Sequence, residues 1–286
     1  MDISIDQVLE QAGTPVSLPE VYLEINELVD NPRSTAAEIA HTVERDVGLT
    51  ARILKIVNSP YYGFPSTVDT ISRAITIIGT RDLRDLALAT TTIDLFAGKE
   101  NQQENIRDFW RHSIYVGVIA KMLAENRHDR HTERYFVAGL LHDIGRLILY
   151  QALPEVANLS IRQAREQGEV LYQTERVLMG YTHTDIGKRL AELWNLPAYL
   201  VESIAYHHEP DQAVHYALDV SIVHIANFLA NSIDFSSNLS GSMTPLDPRC
   251  WQTTGLSLQV IEKSLPDLAE KFTHAYGLLI PQANAA

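Results

Sequence analysis

The most chemically informative residues are a histidine and an aspartate that stand side by side in an apolar stretch. His142 and Asp143 lie within residues 138–149, where every other side chain except Arg146 is apolar or glycine. A buried carboxylate is costly unless it is paired or bound to a metal. Imidazole together with a carboxylate oxygen suits iron, manganese or zinc. The pair therefore indicates either a metal site or a polar contact within the core.

Further histidines in the second half of the chain are candidates to complete such a site. They are His112, His183, His207 and His208. Taken singly, each fits a structural or surface position. Together with His142 and Asp143 they supply five imidazoles and one carboxylate from four separate predicted helices, a donor set that suits one or two divalent ions. We expect these side chains to converge inside a helical bundle.

The hydrophobic residues recur at spacings of three and four, which predicts helix after helix. Thr35 followed by Glu38 has the spacing of a capping box and marks one helix start. The sequence has no strongly alternating strand pattern and no repeat of fixed period. The fold class is therefore predicted to be all-α, a multi-helix bundle. Gly48 either ends the second predicted helix or turns into the third. The predicted helices are 18–31, 34–48, 49–57, 71–78, 83–96, 106–126, 132–150, 154–167, 170–179, 184–194, 197–208, 214–234 and 257–276.

Two polar or irregular stretches suggest how the chain is divided. The polar stretch near 97–105 is a candidate boundary between an N-terminal helical part, 1–97, and a C-terminal part, 98–235, that carries the candidate site. It also fits a loop inside one continuous helical protein. Glycine and proline make 236–257 a long irregular connection. The part 236–286 then consists of this connection, a last helix and a frayed tail.

Composition restricts the partners and the compartment. The 286 residues carry a net charge of −13 and contain no run of basic residues. Because lysine and arginine drive binding to phosphate backbones, we expect no direct contact with nucleic acid. The single cysteine, Cys250, excludes an intrachain disulfide. No apolar stretch approaches the ~20 residues that cross a bilayer, and the acidic N-terminus lacks the basic start of a signal peptide. We therefore expect a cytoplasmic protein with no membrane contact.

Over roughly residues 14–230 the chain resembles the HDOD family, a branch of the HD-domain metal-dependent phosphohydrolase superfamily. The motifs typical of HDOD are 18–21, 46–50, 56–59, 71–75 and 78–79. The histidine series is similar to the HD core and to HD-GYP cyclic di-GMP phosphodiesterases, in which the matching residues hold two or more metal ions. The resemblance implies an HDOD-like bundle with metal ligands at His112, His142, Asp143, His183, His207 and His208. It implies weaker ligands at Asp108, four residues before His112, and at Asn227.

The chain departs from the HD-GYP pattern at three places. After His208 it reads on through 209–214 without the Gly-Tyr-Pro segment that contacts substrate in that relative. Asn227 stands where the relative has an aspartate, and a neutral amide offsets less of a dication's charge. Arg146 stands where a lysine is usual, and arginine is a poor general acid because its pKa exceeds 12. Asp143 and Arg146 remain the only candidate catalytic residues.

The resemblance implies a signalling or regulatory output module with little or no catalysis. Its partners would be sensor or receiver proteins, a nucleotide is a second kind of ligand, and a homodimer is a further option. The alternative function is a metal-dependent phosphohydrolase acting on a nucleotide or a cyclic dinucleotide phosphodiester. A third interpretation is a cluster that only holds the C-terminal helices together. The aromatic residues within 60–65 fit either a contact surface or side chains packed beneath the loop.

Overall fold

The computed structural model describes residues 3–13, 18–60, 62–64, 66–96, 103–233 and 242–280. Within these ranges the chain is helical, and its single β-bridge joins Val170 to Ser242. The all-α class is confirmed. The helices are α1 Ile5–Ala12, α2 Glu20–Asp30, α3 Ala36–Glu44, α4 Val47–Val57, α5 Ile71–Ile78, α6 Thr80–Phe96, α7 Gln103–Asn126, α8 Glu133–Leu141, α9 Ile144–Ala152, α10 Pro154–Gln167, α11 Leu171–Met179, α12 His183–Leu193, α13 Ala198–Tyr206, α14 Ala217–Ile233, α15 Arg249–Thr254 and α16 Leu258–Leu279.

Local hydrogen bonds set the helix starts in the N-terminal part. The predicted capping box is present. The Thr35 hydroxyl accepts the Glu38 backbone N–H, and the Glu38 carboxylate accepts the Thr35 backbone N–H at 2.7 Å. This helix ends at Glu44, and of the two alternatives for Gly48, an end of this helix or a turn into the next, the second agrees with the structure. The Asp46 carboxylate accepts the Leu49 N–H at 2.9 Å and begins α4, so Gly48 lies inside α4.

The aromatic loop after α4 is fixed by hydrogen bonds between its two ends and by packing on the core. The Asn58 amide bonds the backbone of Val68 twice, at 2.7 Å each, which fixes where the chain returns. Tyr62 and Phe64 are half-buried and packed on the core, with ring centroids 5.6 Å apart. Tyr61 and Pro65 lie outside the described residues. The part that is described therefore favours packing over a free contact surface.

The prediction of a single helix over 132–150 was wrong, because the helix breaks at the histidine–aspartate pair. α8 ends at Leu141 and α9 begins at Ile144, and Asp143 has φ −102° and ψ 13°. In a continuous helix the Gly139 carbonyl would accept the N–H of Asp143. Here it accepts Nδ1 of His142 at 2.7 Å. The break aims both side chains into one site, which a regular helix would have pointed about 100° apart.

Glycines let the helices around this break touch backbone to backbone. A Cβ on Gly145 would lie 2.0 Å from the His183 carbonyl oxygen and 2.7 Å from the Gly187 nitrogen. A Cβ on Gly139 would lie 2.8 Å from the Gly117 Cα. α9 therefore packs directly on α12, and α8 packs directly on α7. These contacts bring the helices that carry His112, His142 and His183 together.

Helices at both ends of the chain brace the bundle, and the sequence patterns missed two of the short ones. α1 was not predicted, and it packs on α9 and α12 with Val8 and Leu9 buried. α15 was also missed; it lies inside the stretch predicted to be irregular and contains the buried Cys250. α16 packs on α7 and continues to Leu279, beyond its predicted end. The predicted boundary at 97/98 and the tail 281–286 fall outside the described residues.

None of the helices in the described ranges combines the length and the apolar character that crossing a bilayer requires.

Candidate metal centre

The side chains singled out in the sequence converge at the centre of the C-terminal helices. His112 lies on α7, and His142 and Asp143 occupy the break between α8 and α9. His183 is the first residue of α12, while His207 and His208 directly follow α13. All six are buried, none more than 9% exposed. The five helices on or beside which they lie, α7, α8, α9, α12 and α13, therefore share one interior site.

Asp143 occupies the middle of the cluster. Its Oδ1 lies 3.1 Å from Nε2 of His183 and 3.3 Å from Nε2 of His207. Its Oδ2 lies 3.3 Å from Nε2 of His142 and 3.1 Å from Nη1 of Arg146. One carboxylate thus contacts three imidazoles and a guanidinium, so both of its oxygens face potential ligands or counter-charges.

Backbone and carboxylate acceptors orient three of the rings. Nδ1 of His142 donates to the Gly139 carbonyl at 2.7 Å, and Nδ1 of His207 donates to the Ile204 carbonyl at 3.1 Å. Nδ1 of His183 donates to the Glu175 carboxylate at 2.6 Å. Because these acceptors take the Nδ1 proton, Nε2 keeps its lone pair when the ring is neutral. This arrangement is the usual support of a metal-binding histidine.

The inward-facing atoms of the site are not satisfied by protein. Nε2 of His142, Nε2 of His207 and Nδ1 of His112 are buried and have no hydrogen-bond partner among the described residues. Native proteins rarely leave several buried polar atoms unpaired in one place. A cation bound among these atoms would satisfy them together.

The spacing of the donors also fits shared coordination. Nε2 of His183 and Nε2 of His208 are 3.1 Å apart. Two donors at about 2.1 Å from one ion and about 90° apart are separated by about 3.0 Å. Two groups of donors share Asp143, and within each the ligand atoms lie within 4.8 Å of one another. The groups are Asp143, His183, His207 and His208, and His112, His142 and Asp143. The cluster can bind metal, and its two groups leave room for one ion or two.

Burial and neighbouring charges set the protonation of the metal-free cluster. Burial, together with nearby His142, lowers the pKa of His112 and that of His207 to about 3, although the contact with Asp143 opposes the shift at His207. Burial opposes the charge on His183 as well, but Glu175 and Asp143 outweigh it and raise its pKa to about 9. Burial likewise opposes the charge on Asp143, yet Arg146 and the histidines hold its pKa well below the usual range. Metal binding therefore has to displace a proton from His183.

The remaining predicted residues lie around the cluster. Arg146 is buried against Asp143, and its Nε has no partner among the described side chains. Asn227 is buried beside His112, and its Oδ1 already accepts from Asn231 at 2.8 Å. Asp108 is half-buried one turn before His112 and belongs to neither group of donors. Asp143 is thus the carboxylate that lies among the candidate ligands, and Asp108 does not.

Three residues that support the candidate ligands were not predicted from the sequence. Glu175 was detectable, because it lies on the buried face of α11, four residues from Leu171 and four from Met179. Thr244, whose Oγ1 lies 2.9 Å from Nδ1 of His208, gave no signal. His224 gave none either; it donates to the His207 carbonyl at 2.7 Å and so fixes the backbone between the paired histidines.

Replacing Glu175 by glutamine should weaken metal binding by about 10–100-fold while the fold is kept. The carboxylate accepts from both the backbone N–H and Nδ1 of His183, at 2.9 and 2.6 Å. A neutral amide holds the ring less firmly and makes it less basic. Competition with a chromogenic chelator measures the affinity, with exposed Glu166→Gln on α10 as the matched control. Unchanged affinity in Glu175→Gln would show that this contact does not support a ligand.

The mouth of the site is nearly closed. It is lined by His112, Arg146, Tyr172, His208 and Asn227 and is crossed by residues 242–244. The free volume is about 10 Å³, about the space of one water molecule. In this arrangement the cleft has room for an ion or a water molecule but not for a nucleotide.

Several solved structures share this fold, including structures from Geobacter, Shewanella and Marinobacter. An HDOD domain protein of unknown function from Geobacter sulfurreducens is 24% identical, with a TM-score of 0.75 over 97% of this chain and 100% of that one. A candidate phosphohydrolase from Shewanella amazonensis SB2B is 26% identical, with a TM-score of 0.68 over 95% of each chain. A candidate signal transduction protein from Marinobacter aquaeolei VT8 is 19% identical, with a TM-score of 0.73 over 96% of this chain and 65% of that one.

Sequence comparison gives the family. An uncharacterized protein from Treponema pallidum (strain Nichols) is 26% identical over 219 residues, which are 76% of this chain and 42% of that protein. This chain therefore matches less than half of that relative's length. The HDOD domain model matches residues 16–210, more than half of the chain. With the helical fold and the histidine–aspartate cluster in place, the chain belongs to the HDOD domain family.

Proposed function

We propose that this chain is a regulatory HDOD module whose C-terminal helices hold a divalent metal centre, and that it acts through protein or small-ligand contacts with little or no catalysis. The observation that carries the proposal is the pairing of a metal-competent cluster with a mouth of about 10 Å³. In this arrangement the cleft has room for an ion but not for a phosphodiester.

The ion would be held by His183, His207, His208 and Asp143, and a second ion by His112 and His142 with the same carboxylate. Iron, manganese and zinc suit this mixture of nitrogen and oxygen donors. A bound ion satisfies the unpaired inward atoms and ties α7, α8, α12 and α13 together. Because it binds only the folded chain, it also stabilises the fold by mass action.

Partner contacts are the output of such a module. The proposed partners are sensor or receiver proteins, and a nucleotide is the proposed small ligand. The chain shares its fold with the candidate signal transduction protein from Marinobacter aquaeolei at 19% identity.

The second candidate is a metal-dependent phosphohydrolase acting on a nucleotide or cyclic dinucleotide phosphodiester. A specific observation supports it: the donor set is nearly complete, and the candidate phosphohydrolase from Shewanella amazonensis shares the fold at 26% identity. Bound metal would polarise a phosphoryl group. Arg146 would then offer a buried positive charge to the substrate, but Asn227 and the closed mouth disfavour turnover.

Metal analysis and an activity assay separate the two candidates. Protein purified without chelator, and protein reconstituted with Mn²⁺ or Fe²⁺, should contain about one ion or more per chain. Both preparations should leave bis(p-nitrophenyl) phosphate and a panel of nucleotides unhydrolysed. His142→Ala should lower the metal content, and exposed His215→Ala is the matched control.

Two results would overturn the proposal. Turnover that His142→Ala abolishes and His215→Ala preserves would establish the hydrolase. Metal content below about 0.2 ions per chain after reconstitution would remove the metal centre itself, because multi-histidine sites bind tightly.

A further inference from the structure

A segment that returns after α14 lies across the mouth of the metal centre. Residues 242–247, here called the cover segment, are attached at three points. Ser242 donates its N–H to the Glu169 carbonyl at 2.9 Å and its hydroxyl to the Gly168 carbonyl at 2.6 Å. Thr244 bonds Nδ1 of His208 at 2.9 Å. The Asp247 N–H donates to Nε2 of His224 at 2.9 Å.

Hydrogen bonds rather than apolar burial hold the first half of the cover segment. Ser242 and Met243 are exposed, and Thr244 is half-buried. Each hydrogen bond of this kind contributes only modestly to net stability, because the freed groups bond water when the segment moves away. The first half therefore opens far more easily than the packed helices beneath it.

The part of the site beneath the cover segment becomes accessible only if the segment moves. His112 and His208 line the same small cleft as residues 242–244. His112 does not bond the cover segment, whereas His208 does. Nε2 of His208 faces the cluster while its Nδ1 is bonded to Thr244. The position of the cover segment and the orientation of one candidate ligand are thus coupled.

The cover segment is also distinct from the part of the chain that defines the family. The family match ends at residue 210, and the cover segment lies beyond it. A contact from outside the matched region therefore governs entry to a cluster that lies inside it.

We propose that residues 242–247 form a displaceable cover over the metal centre, with Thr244 as the latch on His208, so that reagents and ligands larger than an ion reach the centre only when the cover lifts. The presence of a metal in this centre rests on the proposed function. The closure of the cleft does not depend on it. Lifting the cover opens the cleft without unfolding the helices that carry the cluster.

Chemical modification of the metal-free protein tests the cover directly. Diethyl pyrocarbonate acylates accessible neutral imidazoles, and peptide mass spectrometry gives the rate at each histidine. In the unmodified chain His112 and His208 should react far more slowly than exposed His128 and His215. Thr244→Val removes the latch and keeps the side-chain shape. Ser242→Pro removes the donor to Glu169, and Thr253→Val on α15 is the matched control.

The proposal expects His112 and His208 to react several-fold faster in both cover variants, with His128 and His215 unchanged. If the modification rate in Thr244→Val rises at His208 alone, the variant has lost only one hydrogen bond. That result would overturn the proposed cover. Equal rates in wild type and variants would overturn it as well. If circular dichroism shows that Ser242→Pro is unfolded, Ser242→Ala takes its place.

A second measurement follows the ion. In Mn²⁺-loaded protein, extraction by a chelator should be several-fold faster in Thr244→Val than in wild type or Thr253→Val. If the chain takes up no ion, the proposed metal function fails while the modification rates still decide the cover. If the ion binds and leaves at the same rate in every variant, the cover fails and the metal function stands.

Discussion

Asp143→Ala should weaken metal binding strongly and also destabilise the metal-free protein by about 3–5 kcal/mol. The carboxylate is shared by both groups of candidate ligands, so its loss leaves each group with imidazoles alone and no negative charge to offset the ion. The substitution also removes the anion that the buried Arg146 contacts at 3.1 Å. An uncompensated buried charge is one of the few single changes with so large a cost.

Two measurements and two comparison variants check this result. Urea unfolding with chelator present gives the stability of the metal-free protein, and titration with Mn²⁺ gives the affinity. Asp143→Asn keeps the size of the side chain but removes its charge, so it should also weaken metal binding. Asp6→Ala breaks the exposed pair with Arg189 and should cost less than about 1 kcal/mol. Wild-type stability in Asp143→Ala would contradict the pairing with Arg146.

Gly145→Ala should destabilise the protein by at least about 1–3 kcal/mol and weaken metal binding at the same time. The added Cβ would lie 2.0 Å from the His183 carbonyl oxygen, a backbone atom that cannot rotate away. α9 and α12 must then separate, and Asp143 moves away from His183 with them. A single methyl group thus acts on the fold and the centre together.

A glycine elsewhere provides the matched control for this substitution. A Cβ on Gly277 in α16 would meet no atom within 4 Å. Gly277→Ala should therefore be neutral or stabilising by up to about 1 kcal/mol, because alanine favours the helix more than glycine does. Thermal unfolding with chelator present compares the two variants. If Gly145→Ala unfolds at the same temperature as Gly277→Ala, the close approach of α9 and α12 is not present in solution.

The class of the fold could be predicted from the sequence, because apolar residues spaced three and four apart indicate amphipathic helices. The same signal failed at the break between α8 and α9, since apolar residues run through 138–149 without interruption. The helix there ends because Gly139 accepts from the His142 ring, a bond that spacing does not reveal. α1 and α15 are short, so few apolar positions mark them.

The candidate ligands were accessible for a different reason. His142 and Asp143 are conspicuous as polar residues in apolar surroundings, and the order of the other histidines matches a known series. Their supporting residues depend on tertiary contacts. Thr244 lies 36 residues beyond His208, and only the folded chain joins them. Glu175 needed the added argument that a carboxylate on a buried helix face requires a partner.

The centre draws its support from both sides of the segment that defines the family. α1 braces α9 and α12 from before residue 16, while His224 and Thr244 reach back from beyond residue 210. A polypeptide trimmed to 16–210 keeps most of the candidate ligands but loses their bracing. Transplanting that segment into another protein would therefore move the histidines without the scaffold that aims them.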